Sequence, residues 1–125
     1  MSGQARILIV EDDDSVRIFT ARALEADGHS TDMASDGAEG LDMIKADEGR
    51  YDLVLSDIRM PVMDGIEMAE TAAKAFPDLR ILLMTGYAEQ RERAAELGGS
   101  VIGVVRKPFS LAEIRTEVAK ALARG

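Results

Sequence analysis

The sequence contains no cysteine or tryptophan, only one histidine (His29), and only 4% aromatic residues. Without cysteine the chain forms neither disulfides nor thiolate metal sites, and one histidine cannot build an imidazole-based metal site. No apolar run reaches the roughly 20 residues needed to span a bilayer, and no signal peptide is visible. These absences predict a cytoplasmic protein without membrane insertion.

Positive charge is also scarce, with 15 lysines and arginines against 23 acidic residues and a net charge of −8. Such a balance argues against nucleic acid as a direct partner and against binding to an anionic membrane surface. The chain has 125 residues, of which 46% are hydrophobic and 30% charged. Its length and composition predict one folded domain over residues 1–125, and no linker or repeat divides it.

Four continuous apolar runs predict strands that are buried on both faces of a parallel sheet. The runs are "ILIV" (7–10), "LVL" (53–55), "ILLM" (81–84) and "VIGVV" (101–105). A fifth, polar and alternating segment, "HSTDMA" (29–34), is typical of an edge strand next to the first one. The five strands alternate with helical segments, so the sequence predicts an α/β fold with a doubly wound, five-stranded parallel sheet.

The segments between the strands have apolar residues at helical spacing, which predicts that these segments form helices. The first helix covers residues 14–26, with Val16, Phe19, Ala23 and Leu24 on its buried face. Further helices are predicted around residues 38–44 and 66–73, over 88–97 and over 111–122. Ser110 is the predicted N-cap of the last one.

Polar residues follow four of the predicted strands. Glu11 and Asp12 follow the first strand, Asp57 the third, Thr85 the fourth and Lys107 the fifth. Each alone would be an ordinary turn, strand-end or surface residue. Because the carboxyl ends of parallel strands meet at one edge, where such sheets bind ligands, we expect these side chains to converge. Carboxylates without histidine or cysteine suit Mg²⁺ or a related ion, and the added lysine and threonine are what phosphoryl chemistry on an aspartate requires.

Taken together, these residues resemble the receiver domain of bacterial two-component response regulators, within the CheY-like superfamily. The motifs are "ILIVEDD", "LVLSDIRMPVMDG" (53–65), "LLMTG" (82–86) and "VVRKPF" (104–109), in the family's order and spacing. The resemblance covers the whole chain. It implies a flavodoxin-like (βα)5 fold with strand order 2-1-3-4-5, and a stand-alone receiver over residues 1–125 without an output domain.

The resemblance also implies a metal site. Asp12 would bind Mg²⁺ directly, Glu11 would act mostly through bound water, and Asp57 and the backbone carbonyl of Arg59 would complete the protein ligands. Mn²⁺ would be able to substitute for Mg²⁺.

By the same resemblance, Asp57 is the phosphoacceptor. It would take a phosphoryl group from a phosphohistidine of a sensor histidine kinase or a histidine phosphotransfer protein. Lys107 would pair with the phosphoryl oxygens, and Thr85 would donate a hydrogen bond to one of them. Such a protein catalyses its own phosphorylation and slow autodephosphorylation. It would then dock on a downstream protein or relay the phosphate, as a monomer or weak dimer.

Four further features are interpreted as structural. Pro61 would fix a turn, Asp64 would begin the third helix, and Gly65 would allow a close backbone approach. The Lys107–Pro108 bond resembles the family's cis peptide bond.

The sequence departs from the family pattern on the fifth strand. Receivers usually place Tyr or Phe three residues before the lysine, and here that position is Val104. The common switch from threonine to this aromatic residue is therefore not expected. Tyr87 carries part of the switching role in one hypothesis, and in the alternative it only packs on the fourth helix. Arg59 and Tyr87 flank the expected path of an attacking water, so they should tune the lifetime of the phosphoryl group.

Two competing functions are left open. "DDDSV" and "LLMTG" resemble motifs of haloacid-dehalogenase phosphatases, in which Asp12 would be the nucleophile and Asp14 the acid/base. That family needs a further acidic pair after the lysine strand, and here only one helix follows. The other alternative is a receiver-like adaptor that binds partners without accepting phosphate.

Overall fold

The computed structural model of the chain describes residues 4–86, residue 93 and residues 101–123. From residue 6 to residue 85 strands and helices alternate, in the order that the apolar runs predict. The strands are β1 (Arg6–Val10), β2 (Ser30–Ala34), β3 (Leu53–Asp57), β4 (Ile81–Thr85) and β5 (Val101–Arg106). The helices are α1 (Asp14–Ala26), α2 (Gly37–Ala46), α3 (Gly65–Ala75) and a last helix at Leu111–Ala123. Tyr87 and most of the helix predicted over residues 88–97 lie outside the described residues.

The five strands form one parallel sheet with the order β2-β1-β3-β4-β5. This arrangement confirms the predicted fold and places the polar segment at residues 30–34 on an edge, beside β1. Strand order reverses between β1 and β3, and a crevice forms at the carboxyl ends of strands at such a reversal. The residues that follow β1 and β3 therefore lie where a ligand site is expected in this fold.

The sheet separates two apolar cores. Leu8 and Val10 of β1 face the core on the side of α2 and α3. Ile7 and Ile9, which alternate with them, face the core on the side of α1 and the last helix. Both faces of the central strands are thus buried, which is why their sequences are continuously apolar rather than alternating.

Side-chain oxygens cap the helix N-termini and satisfy backbone donors that have no partner within the helix. Asp64 accepts a hydrogen bond from the amide of Glu67 at 2.8 Å, and Asp13 accepts one from Val16 at 3.1 Å. Ser110 accepts one from the amide of Glu113 at 3.1 Å. These contacts confirm the helix starts predicted at Asp64 and Ser110, and they hold the loops that connect the strand ends to the helices.

The buried face of α1 differs from the prediction. Phe19 is 40% exposed, whereas Thr20 and Ala21 are buried together with Ala23 and Leu24. The prediction that Phe19 belongs to the buried face is therefore wrong. Its side chain lines the cavity at the carboxyl end of the sheet. Helical spacing alone does not say which part of an apolar stripe rests on the sheet and which part flanks the crevice.

Gly65 lies directly against the end of β3. Its amide donates a hydrogen bond to the carbonyl of Ile58 at 2.8 Å, and a Cβ at this position would overlap the carbonyl oxygen of Asp57. The close backbone approach predicted for Gly65 is confirmed.

We expect Gly65→Ala to lower the free energy of unfolding by about 3 kcal/mol, because the added methyl group displaces backbone rather than a flexible side chain. Gly86→Ala is the matched control, since a Cβ there meets no atom within 4 Å. Its effect should stay below about 1 kcal/mol. Urea denaturation measures both, and equal effects of the two substitutions would contradict this account of Gly65.

Candidate functional site

Three carboxylates converge where β1 and β3 end. Asp57 is the last residue of β3, and Glu11 and Asp12 directly follow β1. One carboxylate oxygen from each residue lies within 4.8 Å of those from the other two. Glu11 is 1% exposed and Asp57 is 7% exposed, whereas Asp12 is open to solvent. The sequence prediction that these three acids would meet is confirmed by this geometry.

Lys107 joins two of the acids. Its Nζ donates hydrogen bonds to Oε1 of Glu11 at 2.9 Å and to Oδ2 of Asp57 at 3.1 Å. A cis peptide bond connects Lys107 to Pro108, as the resemblance implied. The lysine therefore brings its positive charge from β5 to the centre of the acidic group.

Thr85 is buried at the end of β4, which lies next to β5, and Lys107 directly follows β5. Its carbonyl oxygen accepts a hydrogen bond from the amide of Lys107 at 2.9 Å. This backbone contact ties the end of β4 to the lysine, so all four predicted strand ends meet at this edge of the sheet.

Glu11 is held on every side. Its amide donates to the carbonyl of Ala34 at 3.1 Å, and its Oε2 accepts from the amide of Asp13 at 3.2 Å. Its carbonyl oxygen accepts from Nη1 of Arg17 at 2.8 Å, and Lys107 occupies Oε1. Arg17 was not predicted from the sequence to lie near the site.

The surroundings raise the pKa of both Glu11 and Lys107, which favours the neutral form of Glu11 and the charged form of Lys107. Burial raises the pKa of Glu11 from 4.5 to about 7, with the hydrogen bond from Lys107 acting against it and the charge of Asp57 adding to it. Burial alone would lower the pKa of Lys107, but its hydrogen bond to Glu11 and the charges of Asp57 and Glu11 outweigh burial, so that pKa is raised. The lysine is thus held in its charged form.

The residues present suit a divalent cation. The site has three carboxylates and one ammonium group, which would carry a formal charge of −2 with every group ionised. These groups belong to Glu11, Asp12, Asp57 and Lys107. Hard oxygen donors of this kind prefer Mg²⁺, which commonly binds through one or two carboxylates together with water and phosphate oxygens. The open side at Asp12 leaves room for such a ligand.

A cavity of about 860 Å³ lies over the carboxylates. Its lining includes the apolar residues Val16, Phe19, Pro108 and Phe109, and it also includes Arg59. The predicted position of Arg59 near the site is confirmed. The two phenylalanines were not predicted to be site residues, because in the sequence each alone is typical of a core or loop residue.

The loop that follows Asp57 contains an unusual turn. The amide of Met63 donates to the carbonyl of Pro61 at 2.8 Å, which closes a γ-turn around Val62. Val62 has φ +70° and is 83% exposed. A β-branched residue rarely adopts this conformation, so the loop that Pro61 was predicted to turn is locally strained.

Val104, where receivers usually have an aromatic residue, is half-buried in β5 and pairs in register with Leu83. It packs against the core on the side of α2 and α3. Tyr87, which has part of the switching role in one of the two hypotheses, lies outside the described residues.

The raised pKa of Glu11 predicts how stability depends on pH when no metal is present. The folded protein binds this proton more tightly than the unfolded chain, so the free energy of unfolding should fall as pH rises from about 4.5 to about 7. The fall should be at most about 3 kcal/mol. Urea denaturation in EDTA at pH 5 and pH 8 measures it. Glu11→Gln should remove this part of the pH dependence, and the same dependence in both proteins would contradict the prediction.

Among the described residues, no helix has both the length and the apolar character that crossing a membrane requires.

Comparisons with known proteins agree with this geometry. The family described as "Response regulator receiver domain" matches residues 7–119 of the chain. The sensor kinase CckA of Brucella abortus is 36% identical over 122 residues, which are 98% of this chain and 13% of CckA. The response regulator MprA of Mycobacterium avium is 38% identical over 119 residues, which are 95% of this chain and 51% of MprA. The chain thus spans about half of one curated relative and a smaller part of the other.

Solved structures show the same likeness. The response regulator TrrA from Thermotoga maritima, solved in complex with Mg²⁺ and BeF, superposes with a TM-score of 0.83. It is 32% identical, and the superposition covers 94% of this chain and 98% of TrrA. Fold, site geometry and sequence all agree, and the chain belongs to the response regulator receiver domain family.

Proposed function

We propose that this receiver accepts a phosphoryl group on Asp57 in a Mg²⁺-dependent reaction. The observation that carries the proposal is the position of Asp57, which lies within 4.8 Å of the carboxylate oxygens of Glu11 and Asp12 and contacts Lys107 at 3.1 Å. A nucleophilic carboxylate, a cation-binding group and a fixed ammonium are the parts that phosphoryl transfer to an aspartate requires.

The donor is a phosphohistidine of a sensor histidine kinase or a histidine phosphotransfer protein. A carboxylate oxygen of Asp57 forms the new bond to phosphorus, and the bond from phosphorus to the imidazole nitrogen breaks. The electron pair of that bond stays on the nitrogen, which leaves as histidine. The attacking and leaving atoms need to lie in line, and the cavity above Asp57 leaves space for the approach.

Four residues would hold the metal. They are Asp12, Asp57, Arg59 through its backbone carbonyl, and Glu11 through bound water. Mg²⁺ supplies positive charge that offsets the charge of the phosphoryl oxygens when it is bound, and Mn²⁺ has similar oxygen ligands. The Mg²⁺ and BeF complex of TrrA supports this assignment by similarity.

Lys107 stabilises the phosphoryl oxygens from the other side, and Thr85 donates a hydrogen bond to one of them. Lys107 already reaches Asp57, and the Thr85 carbonyl holds the backbone of Lys107. The protein would then lose the phosphoryl group slowly by hydrolysis, at a rate that Arg59 and Tyr87 tune. In the cytoplasm its phosphorylated form would dock on a downstream protein or pass the phosphate on, as a monomer or weak dimer.

The geometry disfavours the phosphatase alternative with Asp12 as nucleophile. Asp14, its required acid/base, has an 81% exposed side chain that pairs with Arg17 at 2.5 Å. An adaptor that accepts no phosphate would not require the part-buried contacts of Lys107 with Glu11 and Asp57.

Phosphotransfer from a panel of purified, ³²P-labelled histidine kinases tests the proposal. We expect transfer from a cognate kinase in Mg²⁺, no transfer in EDTA, and none to Asp57→Ala. A wild-type protein that takes no phosphate from any kinase or from acetyl phosphate would support the adaptor function instead.

A further inference from the structure

We propose that Arg17 is a positioning residue that orients the Glu11–Asp12 peptide unit, and through it the acids that bind Mg²⁺. The inference rests on the proposed function, because it assigns a role within the same metal site.

The guanidinium of Arg17 reaches inward from the first turn of α1. Its Nη1 donates to the carbonyl oxygen of Glu11 at 2.8 Å, and its Nη2 pairs with Oδ1 of Asp14 at 2.5 Å. The Arg17 side chain is 16% exposed, whereas that of Asp14 is 81% exposed. An ion pair with Asp14 alone could form entirely in solvent, so the inward position is set by the contact with Glu11.

That contact lies where regular pairing stops. The register between β1 and β2 ends at Val10 and Ala34, and the amide of Glu11 makes one further bond to Ala34. Beyond this point the carbonyl of Glu11 is held by Arg17. Because this carbonyl belongs to the peptide plane that leads into Asp12, its direction helps to determine where the Asp12 carboxylate points.

Arg17 could act in a second way, and the two roles predict opposite results. As a positive charge near three carboxylates, it would repel a cation, so removing it would tighten Mg²⁺ binding. As a positioning residue, it holds the ligands in place, so removing it would weaken Mg²⁺ binding. Loss of a group that orients metal ligands typically lowers affinity by about 10- to 100-fold.

The experiment is a Mg²⁺ titration of the full chain, followed by isothermal calorimetry and by backbone amide shifts, with no phosphate donor present. We expect Arg17→Gln to raise the Mg²⁺ dissociation constant by about 10-fold. Arg22→Gln is the matched control, because Arg22 is exposed on the same helix and its loss changes the net charge equally. Its dissociation constant should change by less than about 2-fold, as exposed charges are screened.

Two further measurements distinguish a positioning role of Arg17 from a general loss of stability. Arg17→Gln should shift the amide resonances of Glu11 and Asp12 in the metal-free protein, which a remote stability defect would not single out. Arg17→Lys keeps the charge but loses the two-pronged guanidinium, so it should also weaken Mg²⁺ binding. If Arg17→Gln does not fold, the lysine variant provides the comparison.

If Arg17→Gln binds Mg²⁺ as tightly as the wild type or more tightly, the inference is wrong and the proposed function stands. The same result in Arg17→Lys decides the question if only that variant folds. Wild-type protein that binds no Mg²⁺ would overturn both.

Discussion

Replacing Asp57 by asparagine is expected to abolish phosphoryl incorporation completely. The amide of asparagine is a far weaker nucleophile than a carboxylate, and it removes one negative charge from the metal site. The side chains have nearly the same shape, so the strand end and the approach of Gly65 to the Asp57 backbone should be preserved. The loss should therefore be one of chemistry and not of folding.

Intact mass spectrometry after incubation with acetyl phosphate and Mg²⁺ measures this loss. Asp42→Asn is the matched control, because Asp42 is exposed on α2 and its substitution changes the charge by the same amount. We expect Asp42→Asn to gain one phosphoryl group, as the wild type does. Wild-type levels of incorporation in Asp57→Asn would show that another residue is the acceptor.

Replacing Lys107 by alanine should slow phosphoryl transfer by about 10²- to 10³-fold, the usual cost of removing one donor that stabilises developing charge. The same change should not weaken Mg²⁺ binding. Lys107 contacts carboxylate oxygens of Glu11 and Asp57, so it would compete with a cation for these two carboxylates. A slower reaction with equal or tighter metal binding is a combination that a general folding defect would not produce.

Single-turnover transfer from a phosphorylated kinase, together with a Mg²⁺ titration, measures both effects. Lys74→Ala, at an exposed position of α3, controls for the loss of one positive charge. Without Lys107 the buried Glu11 also loses its cationic partner, so the pKa of Glu11 should rise further above its ordinary value. Transfer at the wild-type rate would contradict the role given to Lys107.

The position of the acceptor site could be predicted from the sequence because parallel strands share one carboxyl edge. Once "LVLSD" and "ILIVEDD" are identified as neighbouring buried strands, Asp57, Glu11 and Asp12 must lie close together. The four consecutive acids at residues 11–14 also have two different structural roles, which their order along the chain predicts. Asp13 caps α1 and Asp14 begins it, whereas the two acids before them remain at the strand end.

The role of Arg17 could not be predicted in this way. Asp14 and Arg17 are three residues apart on a helix, a spacing that usually indicates an exposed ion pair. The inward contact depends on the direction of the Glu11 carbonyl in the turn after β1, and residue spacing contains no information about that direction. The position of Phe19 beside the cavity could not be predicted for a related reason. An apolar residue on a helix can line a crevice as well as a core.

The most direct test is to identify the phosphorylated residue itself. The wild-type chain is phosphorylated with acetyl phosphate in Mg²⁺, the acyl phosphate is reduced with borohydride, and the modified peptide is sequenced by mass spectrometry. Reduction converts a phosphorylated aspartate into homoserine. The account predicts homoserine at position 57 and nowhere else, whereas homoserine at position 12, or at no position, would contradict it.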